Sequence, residues 1–243
     1  MTTPQTHNLT AFLTAPRIKF AGTGGVYDYE LGNSSAIVKT TKGNVLIDCG
    51  YSTFIDLSKK GAIDSIDYLL ITHIHGDHAG GLHPCVLHWA NRRGVKIKII
   101  CPTESYEAEL RHYMQIFLLD VDKYVEFVPI SEFGEIGFVD TKDRHVKGIQ
   151  SFAYYFNLGD QFLYYSGDLG DINATRELLE KIEHPNIVVF HEVVFIRRDV
   201  HVYYKDLEDL ADEYSVFAYH CNPADAPEDC RLRFVENYPE LKL

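Results

Sequence analysis

The chain has 243 residues, long enough to bury a real core in one large domain or two small ones. It carries 35 acidic residues against 23 lysines and arginines, and a formal net charge of −12 weighs against a long nucleic-acid partner, which is gripped through basic clusters. No apolar run reaches the roughly 18 residues of a membrane helix, and the start Met1–His7 has neither the basic nor the apolar part of a secretion signal, so a cytoplasmic setting is expected.

Residues 1–16 read as a loose tail or an exchanged N-terminal arm, and the whole chain as a single domain. Gly22-Thr23-Gly24-Gly25 reads as a tight turn. Apolar runs then predict strands over 35–40, 45–48, 68–72, 96–101 and 125–128, and later over 150–157, 161–166, 187–190 and 216–219. Three-to-four spacing predicts helices over 78–92, 103–118, 173–182, 205–213 and 226–237, with Thr103 and Asp171 as caps. Strands in both halves with interspersed helices imply an α/β or α+β fold of layered sheets. The five cysteines lack paired two-residue spacing and read as buried hydrophobes, although Cys221 follows a candidate ligand. Tyr106, Leu110, Tyr113, Met114 and Phe117 share one face of the 103–118 helix and read as core.

The strand predicted over 68–72 runs into His73-Ile74-His75-Gly76-Asp77-His78. Two histidines two positions apart project to one side of an extended chain, and Gly76 then permits a tight turn that displaces Asp77 and His78 toward a neighbouring ion. Imidazole and carboxylate donors suit zinc, and a set without cysteine fits a catalytic rather than a structural ion. The competing reading is a polar helix entry with no metal; four donors within six residues weigh against it.

This His-x-His-x-Asp-His pattern resembles the signature of the metallo-β-lactamase superfamily. The resemblance spans roughly residues 17–225 and implies an αββα sandwich with two metals, zinc or in its place manganese. It places one metal on His73, His75 and His145, the other on Asp77, His78 and His220, with Asp168 shared and Asp48 supporting the ligands. Phe190-His191-Glu192, followed by His201, resembles the ribonuclease-Z-like branch, as does Gly22–Gly25 with Asn33-Ser34-Ser35. Members that process transfer RNA insert a long clamping arm between the third histidine and the shared aspartate. The 23 positions from His145 to Asp168 leave room for a strand hairpin only.

A compact chain of this kind is similar to the anti-Pycsar phosphodiesterases of phages and bacteria. That likeness implies a homodimer acting on a small 3′,5′-cyclic nucleotide, yielding the 5′-monophosphate and countering an antiphage signal, in the host cytoplasm if phage-encoded. It implies three catalytic residues: Asp77, which also orients the nucleophile, and His201, steered by Glu192 to protonate the leaving oxygen. A plainer reading makes Glu192 and His201 a buried hydrogen-bonded pair. The competing functions are an RNA phosphodiesterase, thioesterase, lactonase or lactamase on the same scaffold, and a nucleotide-binding module without catalysis. His83, His88, His112 and His184 read as surface or packing residues; His191 is assigned to the core or to orienting Glu192, and Tyr203 and Tyr204 to the loop or to stacking on a base.

Overall fold

The computed structural model describes residues 9–243; the first half of the expected tail or exchanged arm, residues 1–8, lies outside the described residues. Chain contacts fall into two units, one holding Arg17–Gly134 with Leu243, the other holding the residues up to Pro16 with Glu135–Lys242. Helix α1 (Leu9–Thr14) opens the second unit's share of the chain and buries Phe12, whose ring lies 6.2 Å from Phe190 and 6.0 Å from Phe217.

The 17–134 unit runs β1 (Ile18–Gly22), β2 (Ser35–Lys39), β3 (Asn44–Ile47), α2 (Thr53–Lys59), β4 (Tyr68–Leu70), α3 (Gly76–Ala79) and α4 (Leu82–His88). A π-helical turn at Trp89–Arg93 leads to β5 (Ile97–Cys101), α5 (Glu104–Gln115), α6 (Val121–Tyr124) and β6 (Val125–Pro129). Its six-stranded sheet has the order β1-β2-β3-β4-β5-β6, antiparallel through β3 and parallel from there on. Val45-Leu46-Ile47 and Leu69-Leu70 are fully buried, as strands covered on both faces require.

The other unit repeats this plan with β7 (Ile136–Asp140), β8 (Phe152–Asn157), β9 (Phe162–Tyr165), α7 (Ile172–Leu179), β10 (Ile187–Glu192), α8 (Tyr204–Glu213), β11 (Ser215–Tyr219) and β12 (Arg233–Phe234). Its sheet order is β12-β11-β10-β9-β8-β7, with β7-β8-β9 antiparallel and the remaining pairs parallel. Parallel neighbours need crossovers, and α7 and α8 supply two of them. Asp48 and His73 follow β3 and β4, and Asp168, Glu192 and His220 lie at the carboxyl ends of β9, β10 and β11, where open α/β sheets gather their chemistry; His145 follows β7, which pairs antiparallel with β8. Among the described residues, no helix is long and apolar enough to cross a membrane.

Thr103 and Asp171 cap α5 and α7, accepting from the Tyr106 and Asn173 amides. Two expected helices differ. The one predicted over 78–92 is interrupted after Ala79 because the Gly81 amide donates to Cys49 O (2.7 Å), and a Cβ on Gly81 would lie 2.3 Å from Gly50 O. The helix predicted over 226–237 does not form. Arg231 N donates to Glu208 Oε1 (2.8 Å), Tyr204 Oη donates to Asp229 Oδ1 (3.0 Å), and Arg233–Phe234 pairs with β11 instead. Tertiary partners on α8 and β11 thus override local helical spacing. Strand β7 escapes prediction because of Gly137, which the Tyr155 ring of β8 covers so closely that a Cβ there would meet it at 2.1 Å.

Candidate functional site

In the 17–134 unit the site is built outward from Asp48, which follows β3 with φ +60°, a left-handed conformation unusual for a residue with a side chain. Its buried carboxylate accepts from Thr72 N (2.7 Å), from the Thr72 hydroxyl (2.9 and 3.0 Å) and from His78 Nδ1 (2.8 Å). Burial pushes the Asp48 carboxyl up, while the His78 imidazole and the Thr72 donors pull it back. Thr72 Oγ1 also lies 3.0 Å from His73 Nδ1. Because the Thr72 proton is committed to Asp48, Thr72 accepts from that nitrogen. Both histidines therefore hold a proton on Nδ1 and present the Nε2 lone pair, the form in which imidazole binds metal. His73 Nε2 lies 3.0 Å from His75 Nδ1, and His78 Nε2 lies 3.5 Å from Asp77 Oδ2.

In the other unit, His145 Nδ1 donates to Val200 O (2.7 Å), so its Nε2 is again the lone-pair end. That nitrogen lies 3.8 Å from Asp168 Oδ2, and His220 Nε2 lies 3.5 Å from the same oxygen. Asp168 follows β9 through Gly167 at φ +58°, and His220 directly follows β11 with φ +63°. A non-glycine residue held there stores about 1–3 kcal/mol of backbone strain, which the sheet must offset. Glu192 closes β10 with no exposure; its Oε1 accepts from Val202 N (2.9 Å) and Leu169 N (3.3 Å), and its Oε2 lies 3.1 Å from His201 Nδ1. Burial raises the Glu192 carboxyl to about 7 against the pull of His201. The half-buried His201 ring lies 5.0 Å from that of His145 and stacks 5.8 Å from that of His220.

The donor set fits a metal. Around a tetrahedral zinc with bonds of roughly 2.0–2.1 Å, neighbouring ligand atoms sit about 3.3 Å apart. The nitrogen–nitrogen and nitrogen–oxygen separations of 3.0–3.8 Å within each unit bracket that spacing. His145, Asp168 and His201 also offer atoms within 4.8 Å of one another, so the third member, His201, is both a candidate acid and a candidate ligand by position.

Sequence reasoning passed over the supports of these residues. Thr72, Ser166, whose Oγ accepts from Glu192 N (3.0 Å), and the Val200 carbonyl carry no chemical signature in the sequence. Only the position of Thr72, directly before the histidines, offered a hint. Replacing Asp48 with alanine leaves Thr72 N and His78 Nδ1 as buried donors without their acceptor. We expect Asp48→Ala to lower the unfolding free energy by about 3 kcal/mol or more, measured by urea denaturation; an unchanged midpoint would show that the network carries no stability.

His191 faces away from this chemistry. Its Nδ1 donates to Glu192 O (2.7 Å) and its Nε2 lies 3.1 Å from Thr175 Oγ1, which lies 2.9 Å from Tyr164 Oη. Burial lowers the imidazole to about 4 from its ordinary 6.5. Between those values the unfolded chain takes up a proton that the folded chain refuses. This contribution is therefore intact above about 6.5 and lost as pH falls toward 4, by on the order of 3 kcal/mol. Denaturation at pH 7 and pH 4.5 should show a smaller acid loss in His191→Gln than in wild type; equal losses would refute the assignment.

Tyr203, Tyr204, His88 and His184 sit among local neighbours. Arg197 lies 4.5 Å over the Tyr203 ring while pairing with Asp206, and Tyr204 is buried. His88 meets Asp64 at 2.7 Å, and His184 lies against the carbonyls of Asn186 and Gly159. Tyr106, Leu110 and Met114 are core residues of α5.

A family profile described as Anti-Pycsar protein Apyc1 matches residues 16–237. The Anti-Pycsar protein Apyc1 of Bacillus phage vB_BsuM-Goe3 is 32% identical over 180 residues, covering 64% of this chain and 68% of that protein. The crystal structure of the metallo-beta-lactamase fold protein YhfI from Bacillus subtilis superposes with a TM-score of 0.66 at 13% identity, over 84% of this chain and 85% of that one. Human tRNase Z, short form, superposes with a TM-score of 0.57 at 17% identity, over 84% and 92% of the two chains. These two structures establish the metallo-β-lactamase fold. With a profile match that extends over nearly the whole described sequence, the chain belongs to the Anti-Pycsar protein Apyc1 family.

Proposed function

We propose that this metallo-β-lactamase-fold hydrolase is a metal-dependent phosphodiesterase that opens small 3′,5′-cyclic nucleotides to 5′-monophosphates and so counters a nucleotide-based antiphage signal. His73, His75 and His145 would hold one metal, Asp77, His78 and His220 a second, and Asp168 both, with zinc or manganese as the ion. When bound, such ions act as Lewis acids that lower the pKa of water and offset charge on phosphoryl oxygens. The chain's own part is to orient and to move a proton. Asp77 orients the attacking water and takes its proton; the water oxygen bonds to phosphorus as the bond from phosphorus to O3′ breaks. His201 gives its Nε2 proton to O3′, which would otherwise leave as an unstable alkoxide.

The observation that carries this reading is the Glu192–His201 pair. A fully buried carboxylate holds Nδ1 of a half-buried histidine at 3.1 Å, which makes Nε2 the end that would give a proton to the leaving oxygen. A lactonase or thioesterase reading gains nothing from such a device. Product analysis on the four common 3′,5′-cyclic mononucleotides, with and without a chelator, tests the proposal. A 5′-monophosphate whose formation stops with the chelator is expected, and metal-loaded protein that turns over no phosphodiester would refute it. The homodimer belongs to the same proposal and gains support from apolar side chains left exposed on the 17–134 unit, among them Ile116, Leu119, Tyr27 and Tyr29; sedimentation of the full chain checks it.

A further inference from the structure

The 17–134 unit holds a second concentration of chemistry, at the opposite ends of its strands from the histidine cluster. A cavity of about 220 Å³ opens at the start of β4 and before β5, lined by Lys42, Arg93, Lys96 and Lys98 with Asp67, Tyr68 and Trp89. Tyr68 precedes His73 by five positions, roughly 16 Å of extended chain. In a chain with a net charge of −12, four cations around one cavity run against the overall field. Lys98 is partly neutralised by Glu126 at 3.8 Å, and Asp67 on the rim accepts from Asn44 N (2.9 Å). Lys42, Arg93 and Lys96 meet no carboxylate among the described residues.

The cavity is built rather than incidental. Trp89–Arg93 winds as a π-helix, a strained and uncommon turn that recurs at functional sites. The turn buries Trp89 and swings Arg93 back so that Nη1 donates to Ile66 O (2.8 Å) while its guanidinium lies 5.2 Å over the Trp89 ring. Lys42 and Lys98 are likewise drawn over aromatic faces, Phe133 at 4.8 Å and Tyr68 at 5.8 Å. Ring faces thus position these cations, with Lys42 exposed and Arg93 and Lys98 partly buried, where an incoming anion can reach them. A space of about 220 Å³ takes a phosphate with an attached sugar.

We propose that this cavity is a second binding site, specific for a phosphate monoester no larger than a mononucleotide. Lys42, Lys96 and Arg93 would grip the phosphate, and Tyr68 would support the group attached to it. Calorimetric titration of the full-length, metal-loaded chain with adenosine 5′-monophosphate, inorganic phosphate and adenosine tests this. Lys42→Glu with Lys96→Glu reverses two exposed charges and should leave the fold and basal turnover unchanged. Wild type should show a binding event for both phosphate-bearing probes that the double variant weakens roughly tenfold or more, and adenosine should not produce it. Isotherms identical in wild type and variant, or adenosine binding as tightly as its monophosphate, would overturn the proposal. Failure of the phosphodiesterase reading would appear separately, as absent turnover.

Discussion

His201→Ala should retain its full complement of bound metal and lose turnover by roughly 10²–10⁴-fold, the range spanned by a positioned general acid. The geometry behind this is one-sided. Glu192 is locked by Val202 N and Leu169 N and holds only the Nδ1 side of the ring, so truncating His201 leaves that carboxylate with its backbone donors and the strand intact. The fold should therefore tolerate the change. Metal analysis alongside kinetics separates the two positions open to His201. Loss of an ion together with activity would make it a ligand, as its closeness to His145 and Asp168 permits, and unchanged turnover would remove it from the chemistry. Activity returning with a substrate whose leaving group needs no proton, such as a nitrophenolate, would distinguish the acid from a merely structural side chain.

Asp168→Ala should have the larger effect. Its Oδ2 faces His145 at 3.8 Å and His220 at 3.5 Å, so a single carboxylate organises two imidazoles of its unit. We expect metal content to fall and turnover to drop by on the order of 10³-fold or more, since Lewis-acid stabilisation contributes several kcal/mol to barrier lowering. Added zinc should restore little, because the defect lies in the donor set and not in supply. A variant that binds metal normally and turns over at the wild-type rate would remove Asp168 from the centre.

The histidine cluster was legible because its donors lie close together: a buried run ends, a glycine turns, and four candidate ligands fall within six residues. His145, Asp168 and His220 are separated by dozens of positions and carry no local pattern, so only resemblance pointed to them. Their setting is a matter of topology, since Asp168, Glu192 and His220 come from the ends of three adjacent parallel strands. The supports stayed hidden for another reason. Thr72 and Ser166 act through hydroxyls, and Val200 acts through a carbonyl that every residue possesses. The same division holds for the fold. Strands β3, β4, β5 and β10 announced themselves as buried apolar runs, whereas the 226–237 segment has helical spacing but hydrogen-bonds to α8 and pairs with β11.

The left-handed backbone at His220 has an evolutionary consequence. Glycine adopts φ +63° without penalty, but a glycine there would also remove a buried imidazole that lies 3.5 Å from Asp168 Oδ2 and stacks on His201. Asp48 adopts the same conformation, and there the carboxylate accepts from Thr72 N and His78 Nδ1. A lineage released from the need to catalyse would therefore be expected to drift at position 220 before position 48, where a substitution strands two buried donors. Position 48 would hold its aspartate long after the activity had gone.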